Sequence, residues 1–197
     1  MFGCRHAPLE LPPALTAALA AAYGEPQRAY HTAAHIDEVL GWFDRVADEV
    51  GWRQPAEVYV AIVFHDAIYV PGARDNEARS AVWARSAGLA VDGARVAELI
   101  ELTARHGAID HADGDTALFL DCDMAIVGAA PAAFDAYDAA IAVEYQHVPP
   151  DAYRAGRRAF LAGLAASPRI FLSEYFHTRL DAAARANLAR AVAKLAP

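Results

Sequence analysis

Cysteine is scarce in this chain, and its scarcity removes two classes of protein at once. Cys4 and Cys122 are too few and too far apart for a disulfide framework or a thiolate zinc site. Glycine and threonine are sparse while alanine is abundant, a composition that favours helix. An excess of positive charge is also missing. With 25 acidic and 17 basic side chains the formal net charge is -8. That balance argues against general binding to a nucleic-acid duplex or an anionic membrane, although a small ligand can still meet a local cluster of arginines. No apolar run is long enough to span a bilayer. The opening M-F-G-C-R-H-A-P-L-E-L-P-P lacks the basic and long apolar regions of a secretory signal, and Cys4 stands too near the start for a lipoprotein signal. The expectation is a soluble, cytoplasmic protein.

Hydrophobic residues make up 56% of the 197 positions, enough for a sizeable core in one domain covering residues 1–197. No internal repeat, linker or low-complexity tract interrupts it beyond the alanine enrichment. Pro12 and Pro13 open a first helix that runs to Tyr23-Gly24. A second is expected from near Tyr30 to about Val50, with Ile36, Val39, Leu40, Phe43, Val46 and Val50 at helical spacing. A third should cover Ala56 to about Ile68, its length outweighing its β-branched content. Asp75 is placed to cap a fourth, from Glu77 to Ala87, closed by Gly88, and Asp92 to cap a fifth ending at His106-Gly107. After the polar loop I-D-H-A-D-G-D come helices near 116–127, 131–145, 153–164 and 181–195. The fold class is therefore all-α, a helical bundle of about seven to nine helices.

The stretch Val58–Tyr69, V-Y-V-A-I-V-F-H-D-A-I-Y, carries the chemistry. Ten of its twelve residues are apolar or aromatic and the other two are His65 and Asp66. An unpaired carboxylate in such surroundings is costly and has to be neutralised, hydrogen-bonded or placed on a metal. The dipeptide alone decides nothing, since roughly 0.6 His-Asp pairs arise by chance in a chain of this composition, and context must carry the claim. His31 and His35 stand four apart in Y-H-T-A-A-H-I, a spacing that on a helix converges two imidazoles and also occurs on solvated faces. Asp121 and Asp123, in F-L-D-C-D-M-A-I-V-G, are two close carboxylates in an apolar segment. They would repel unless a cation or hydrogen-bond donors compensate, and at this spacing only one of them is expected to face a metal.

A histidine, a His-Asp pair thirty residues on and an aspartate some sixty later resemble the HD superfamily of metal-dependent phosphohydrolases. The blocks Y-H-T-A-A-H-I, F-H-D-A-I-Y, D-N-E-A-R-S-A, D-C-D-M-A-I-V-G, E-Y, A-G-R and A-R-A-N-L are similar to its bacterial predicted-phosphohydrolase subgroup, from residue 30 to about 190. The resemblance implies an HD-type helical fold with a divalent metal on His35, His65, Asp66 and Asp123, Asp123 being preferred to Asp121 because the following M-A-I matches the family's register. It implies His31 as general acid to the leaving oxygen. Nitrogen and carboxylate ligands suit Mn, Fe, Co, Ni or Zn better than Mg, as one or two ions, and such a metal supplies hydroxide for attack on phosphorus.

Glu77 is the candidate base or water-positioning residue, with Asp75 and Asn76 beside it as substrate contacts, although a helix N-cap explains Asp75 equally well. His106 is read as a second-metal ligand or phosphate contact, against a solvated helix-end histidine. Arg157, in the A-G-R block, is the favoured phosphate-binding arginine, ahead of Arg105, Arg154 and Arg158. His6, His111, His147 and His177 are expected at the surface. The implied activity is hydrolysis of a small nucleotide-like phosphate mono- or diester. Two alternatives remain: a di-iron HD-fold oxygenase, and a catalytically silent nucleotide- or metal-binding module.

Overall fold

Helix-forming residues and proline punctuation set the element order. The computed structural model describes residues 2–109 and 111–196. Asp110, inside the polar loop expected there, lies outside the described residues. The helices are α1 (Pro13–Tyr23), α2 (Ala33–Glu49), α3 (Pro55–Phe64), α4 (Asn76–Ser86), α5 (Gly93–Thr103), α6 (Gly114–Met124), α7 (Pro131–Glu144), α8 (Pro150–Ala166) and α9 (Glu174–Lys194). A 3-10 turn, Ala125–Gly128, follows α6 directly. The protein is all-α, with no strand among the described residues. Nor, among them, is any single helix long and apolar enough to cross a membrane. The chain divides into two compact units, Met1–His106 and Gly107–Pro197.

In the first unit α3 is the central element. Every residue from Val58 to Phe64 is buried, and burial of each large apolar side chain stabilises by about 1.5–3 kcal/mol. Packing on all sides thus decides the helix against the β-branched composition. Helices α2, α4 and α5 pack against it. The N-terminal strap is tied down by carboxylates of α2. Asp37 accepts from the Phe2 amide at 3.1 Å, and Asp44 accepts from the Arg5 and His6 amides, each at 2.9 Å. Asp92 caps α5 as expected, accepting from Ala94 N and Arg95 N. Gly88, at φ +69°, follows the end of α4, where a left-handed residue is cheapest as glycine.

Several helix boundaries differ from expectation, and three of the differences matter most. Helix α2 starts at Ala33, so His31 lies before its first turn and does not share a helical face with His35. Helix α3 stops at Phe64, four residues early, so His65 and Asp66 sit on the turn that follows. Helix α9 begins at Glu174, seven residues early, with the Ser173 side chain capping it.

In the second unit α6 is buried almost throughout and α9 lies along the 3-10 turn. Asn187 of α9 donates to Val127 O (3.0 Å) and Ala129 O (2.9 Å). Arg185 gathers the Ala165, Ser167 and Pro168 carbonyls at the end of α8. The A-R-A-N-L block is thus structural. The close approach of α9 requires a residue without Cβ at position 128. A Cβ there would lie 2.6 Å from Leu180 Cβ and 3.0 Å from its carbonyl oxygen. Because that contact is made by backbone and Cβ, no flexible side-chain end can yield. Gly128→Ala should cost about 1–3 kcal/mol, read as a lower midpoint in thermal or urea unfolding.

Candidate metal centre

The end of α3 leaves carbonyls that the helix itself cannot pair, and their partners fix the histidine. Ala61 O accepts from the His65 amide (2.9 Å), and Phe64 O accepts from the Ala67 amide (2.9 Å). Val63 O accepts from the Tyr23 hydroxyl (2.9 Å), and Ile62 O accepts from His65 Nδ1 (2.8 Å). A carbonyl has no proton to give, so His65 carries its hydrogen on Nδ1. Its Nε2 therefore faces inward, in the arrangement by which ligating histidines are oriented.

The turn that follows is held from two sides. Ile68 N donates to Ser80 Oγ at 3.0 Å, and Asn76 exchanges two 3.0 Å hydrogen bonds with the Val70 backbone. The D-N-E-A-R-S block of α4 therefore fastens the turn bearing His65 and Asp66. From the other side comes Arg28, whose side chain is fully buried. Its Nη1 donates to His31 O (2.9 Å) and Asp66 O (2.8 Å), its Nη2 to Ala67 O (3.0 Å), and its Nε to Glu25 Oε2 (3.2 Å). The guanidinium lies over the Tyr23 and Tyr69 rings, 5.1 and 5.4 Å from their centroids.

Within this frame three donors converge. His35 Nε2 is 3.2 Å from His65 Nε2, Asp66 Oδ2 is 3.0 Å from His65 Nε2, and the third separation, His35 Nε2 to Asp66 Oδ2, is 3.6 Å. Ligands on one ion at about 2.1 Å stand about 3.0–3.4 Å apart. Two of the three separations fall in that range and the third, 3.6 Å, lies just beyond it, so the spacing is close to that of donors around a single cation. The donor set, two imidazole nitrogens and a carboxylate oxygen, suits a divalent transition metal better than Mg. Burial would raise the Asp66 pKa. The neighbouring His65 and His31, the hydrogen bond to His65, and His35 outweigh it and hold the carboxyl well below the usual carboxylate range.

His31 completes the group. Its ring packs on Tyr69 with centroids 4.2 Å apart and lies 6.0 Å from the His35 ring. Tyr30 covers both imidazoles, its centroid 5.1 Å from His31 and 4.8 Å from His35. His31 therefore reaches this group from a loop pinned through its carbonyl by Arg28. The helical spacing that drew attention to it is not what places it there.

No family model, no curated protein and no solved structure matches the chain.

The remaining sequence candidates fall in different places. Asp75 occupies the N-cap position of α4, but its side chain makes no capping hydrogen bond. Asn76 is buried with both ends of its amide engaged by Val70, which makes it a fastening residue instead of a substrate contact. Glu77 is half-buried in the first turn of α4, and His106 is half-buried in the turn after α5. Arg157, in the second unit, is ion-paired to Asp138 at 2.9 Å and packed over the Tyr137 and Phe160 rings. That geometry gives it a structural partner where a phosphate was expected.

In D-C-D the two aspartates separate. Asp121 is buried and accepts from Leu172 N (2.8 Å), Ser173 N (2.7 Å) and Ser173 Oγ (2.6 Å), so it secures the N-terminus of α9. Asp123, also on α6, is half-buried and is the carboxylate that the resemblance assigns to the metal. Between them the Cys122 thiol is pushed well up by burial and then by both carboxylates, and is inert as a thiolate. Sequence reasoning missed Arg28. An arginine three residues ahead of a histidine carries no signal until the turn it clamps is seen.

Proposed function

We propose that the chain is a metal-dependent phosphohydrolase acting on a small, nucleotide-like phosphate ester. The observation that carries this reading is the convergence of His35 Nε2, His65 Nε2 and Asp66 Oδ2 within 4.8 Å of one another. It is supported by the motif order His, His-Asp, Asp along the chain. Held there, a divalent transition metal would supply Lewis acidity toward a phosphate oxygen and a water acidified toward neutral pH.

The chain's own residues supply the rest. Asp66, kept ionised, contributes the negative charge of the donor set, and the Ile62 carbonyl holds His65 in the ligating tautomer. His31, stacked on Tyr69 at the edge of the group, is the proton donor for the departing oxygen. Glu77 is retained as the base or water-positioning residue.

The test is phosphate release from aryl phosphate mono- and diesters and nucleoside phosphates, with Mn, Fe, Co, Ni or Zn added in turn. Turnover should depend on the metal. His31→Ala should lower kcat by about 10²–10⁴-fold, the usual contribution of a positioned general acid, while leaving metal content intact. A metal-loaded protein that releases no product from any of these esters would exclude the hydrolase reading and favour a silent binding module.

A further inference from the structure

Arg28 is one side chain that reaches both metal-bearing segments. It precedes α2 and is buried between two tyrosine rings. Through Nη1 it joins the carbonyl of His31, ahead of His35, to the carbonyl of Asp66, and through Nη2 it adds Ala67. His35 reaches the centre from α2 and His65 and Asp66 reach it from the end of α3. Their mutual spacing therefore depends on how these two segments are tied. We infer that Arg28 is the positioning residue of the metal centre: its guanidinium fork holds the His31–His35 segment against the His65–Asp66 turn at ligand distance. It touches neither metal nor substrate and acts through the backbone of the residues that do.

The fork geometry matters more than the charge. A guanidinium presents its donors in a fixed plane and can serve several acceptors at once, whereas an ammonium is a single point with rotating donors. Lysine at this position keeps the positive charge near Glu25 but cannot reproduce the three carbonyl contacts together. Outer residues that orient metal ligands commonly change metal affinity about 10–100-fold when altered. This inference rests on the metal reading of His35, His65 and Asp66, and the test separates the two.

Cobalt(II) is titrated into the metal-free full chain, following the visible absorption of the bound ion and the metal-induced rise in Tm. Wild type, Arg28→Lys and Gly128→Ala are compared, the last as a destabilised variant altered only in the second unit. Arg28→Lys should bind cobalt about 10–100-fold more weakly with a changed absorption band, while Gly128→Ala melts lower and keeps wild-type affinity. Should Arg28→Lys fail to fold, Glu25→Gln decides in its place. It loosens the guanidinium at its more exposed end and should weaken cobalt binding about threefold, in keeping with the small energy of such pairs.

A folded Arg28→Lys with wild-type affinity and spectrum overturns the positioning role, as does a loss that Gly128→Ala matches. If Arg28→Lys does not fold, unchanged affinity in Glu25→Gln overturns it equally. Failure of the wild type itself to bind cobalt is a different result, which removes the metal reading and this role with it.

Discussion

Purified without added metal, the wild-type chain is expected to carry about one or two equivalents of Mn, Fe, Co, Ni or Zn, and the His65→Ala/Asp66→Ala variant almost none. The size of the effect follows from the geometry. The double change removes two of three converging donors, including the one that brings negative charge, and leaves His35 Nε2 alone. A single imidazole does not hold a divalent ion at the concentrations of a purified protein. Elemental analysis reads the loss directly, and a retained thermal transition shows that the variant still folds.

The same site fixes the sign of the pH dependence. Asp66 is held well below the usual carboxylate range, so it stays ionised as pH falls through the mildly acidic region. The imidazoles must be neutral to ligate, so protons compete with the metal for their nitrogens. Metal content should therefore fall as pH is lowered, with protonation of Asp66 contributing to the loss only well below the usual carboxylate range. Two irons in a coloured preparation without phosphatase activity would move the reading to oxygen chemistry. No metal in either protein after reconstitution would leave His65 and Asp66 as a core pair.

The all-α class was legible because prolines, glycines and capping aspartates punctuate the chain at nearly every helix end. Asp92 and Gly88 act where local chemistry says they should. The His-Asp pair stood out because an apolar run tolerates such residues only for a reason. What remained hidden depends on contacts distant in sequence. Helix α3 ends at Phe64 because Tyr23, His65 and Arg28 take the carbonyls there and just beyond, and nothing in residues 55–70 announces that. The start of α9 is set by Ser173, which is itself held by Asp121 more than fifty residues earlier. Motif blocks are similarly mixed: Asn76, Ser80, Arg185 and Asn187 recur in the motifs as fasteners, while His35, His65 and Asp66 form the cluster. A motif marks residues that a fold cannot spare, and only geometry sorts fastening from chemistry.

Asp121→Asn should be the most destabilising conservative change in the second unit. The buried carboxylate accepts three hydrogen bonds of 2.6–2.8 Å, and the Ser173 hydroxyl that donates one of them accepts in turn from Phe176 N at 3.3 Å. An amide in the same place turns one acceptor oxygen into a donor facing donors, and removes the charge that strengthens the others. Hydrogen bonds to a charged group contribute about 1.5–3 kcal/mol each, and a buried group left unpaired costs a similar amount. A loss on the order of 3 kcal/mol or more follows, which for a chain of this length lowers Tm by about 6–12 °C. Asp123→Asn, at a half-buried position on the same helix, should lower Tm less. Melting curves of the two variants, run side by side, check the difference. An Asp121→Asn variant that melts with the wild type would overturn the role given to its three hydrogen bonds.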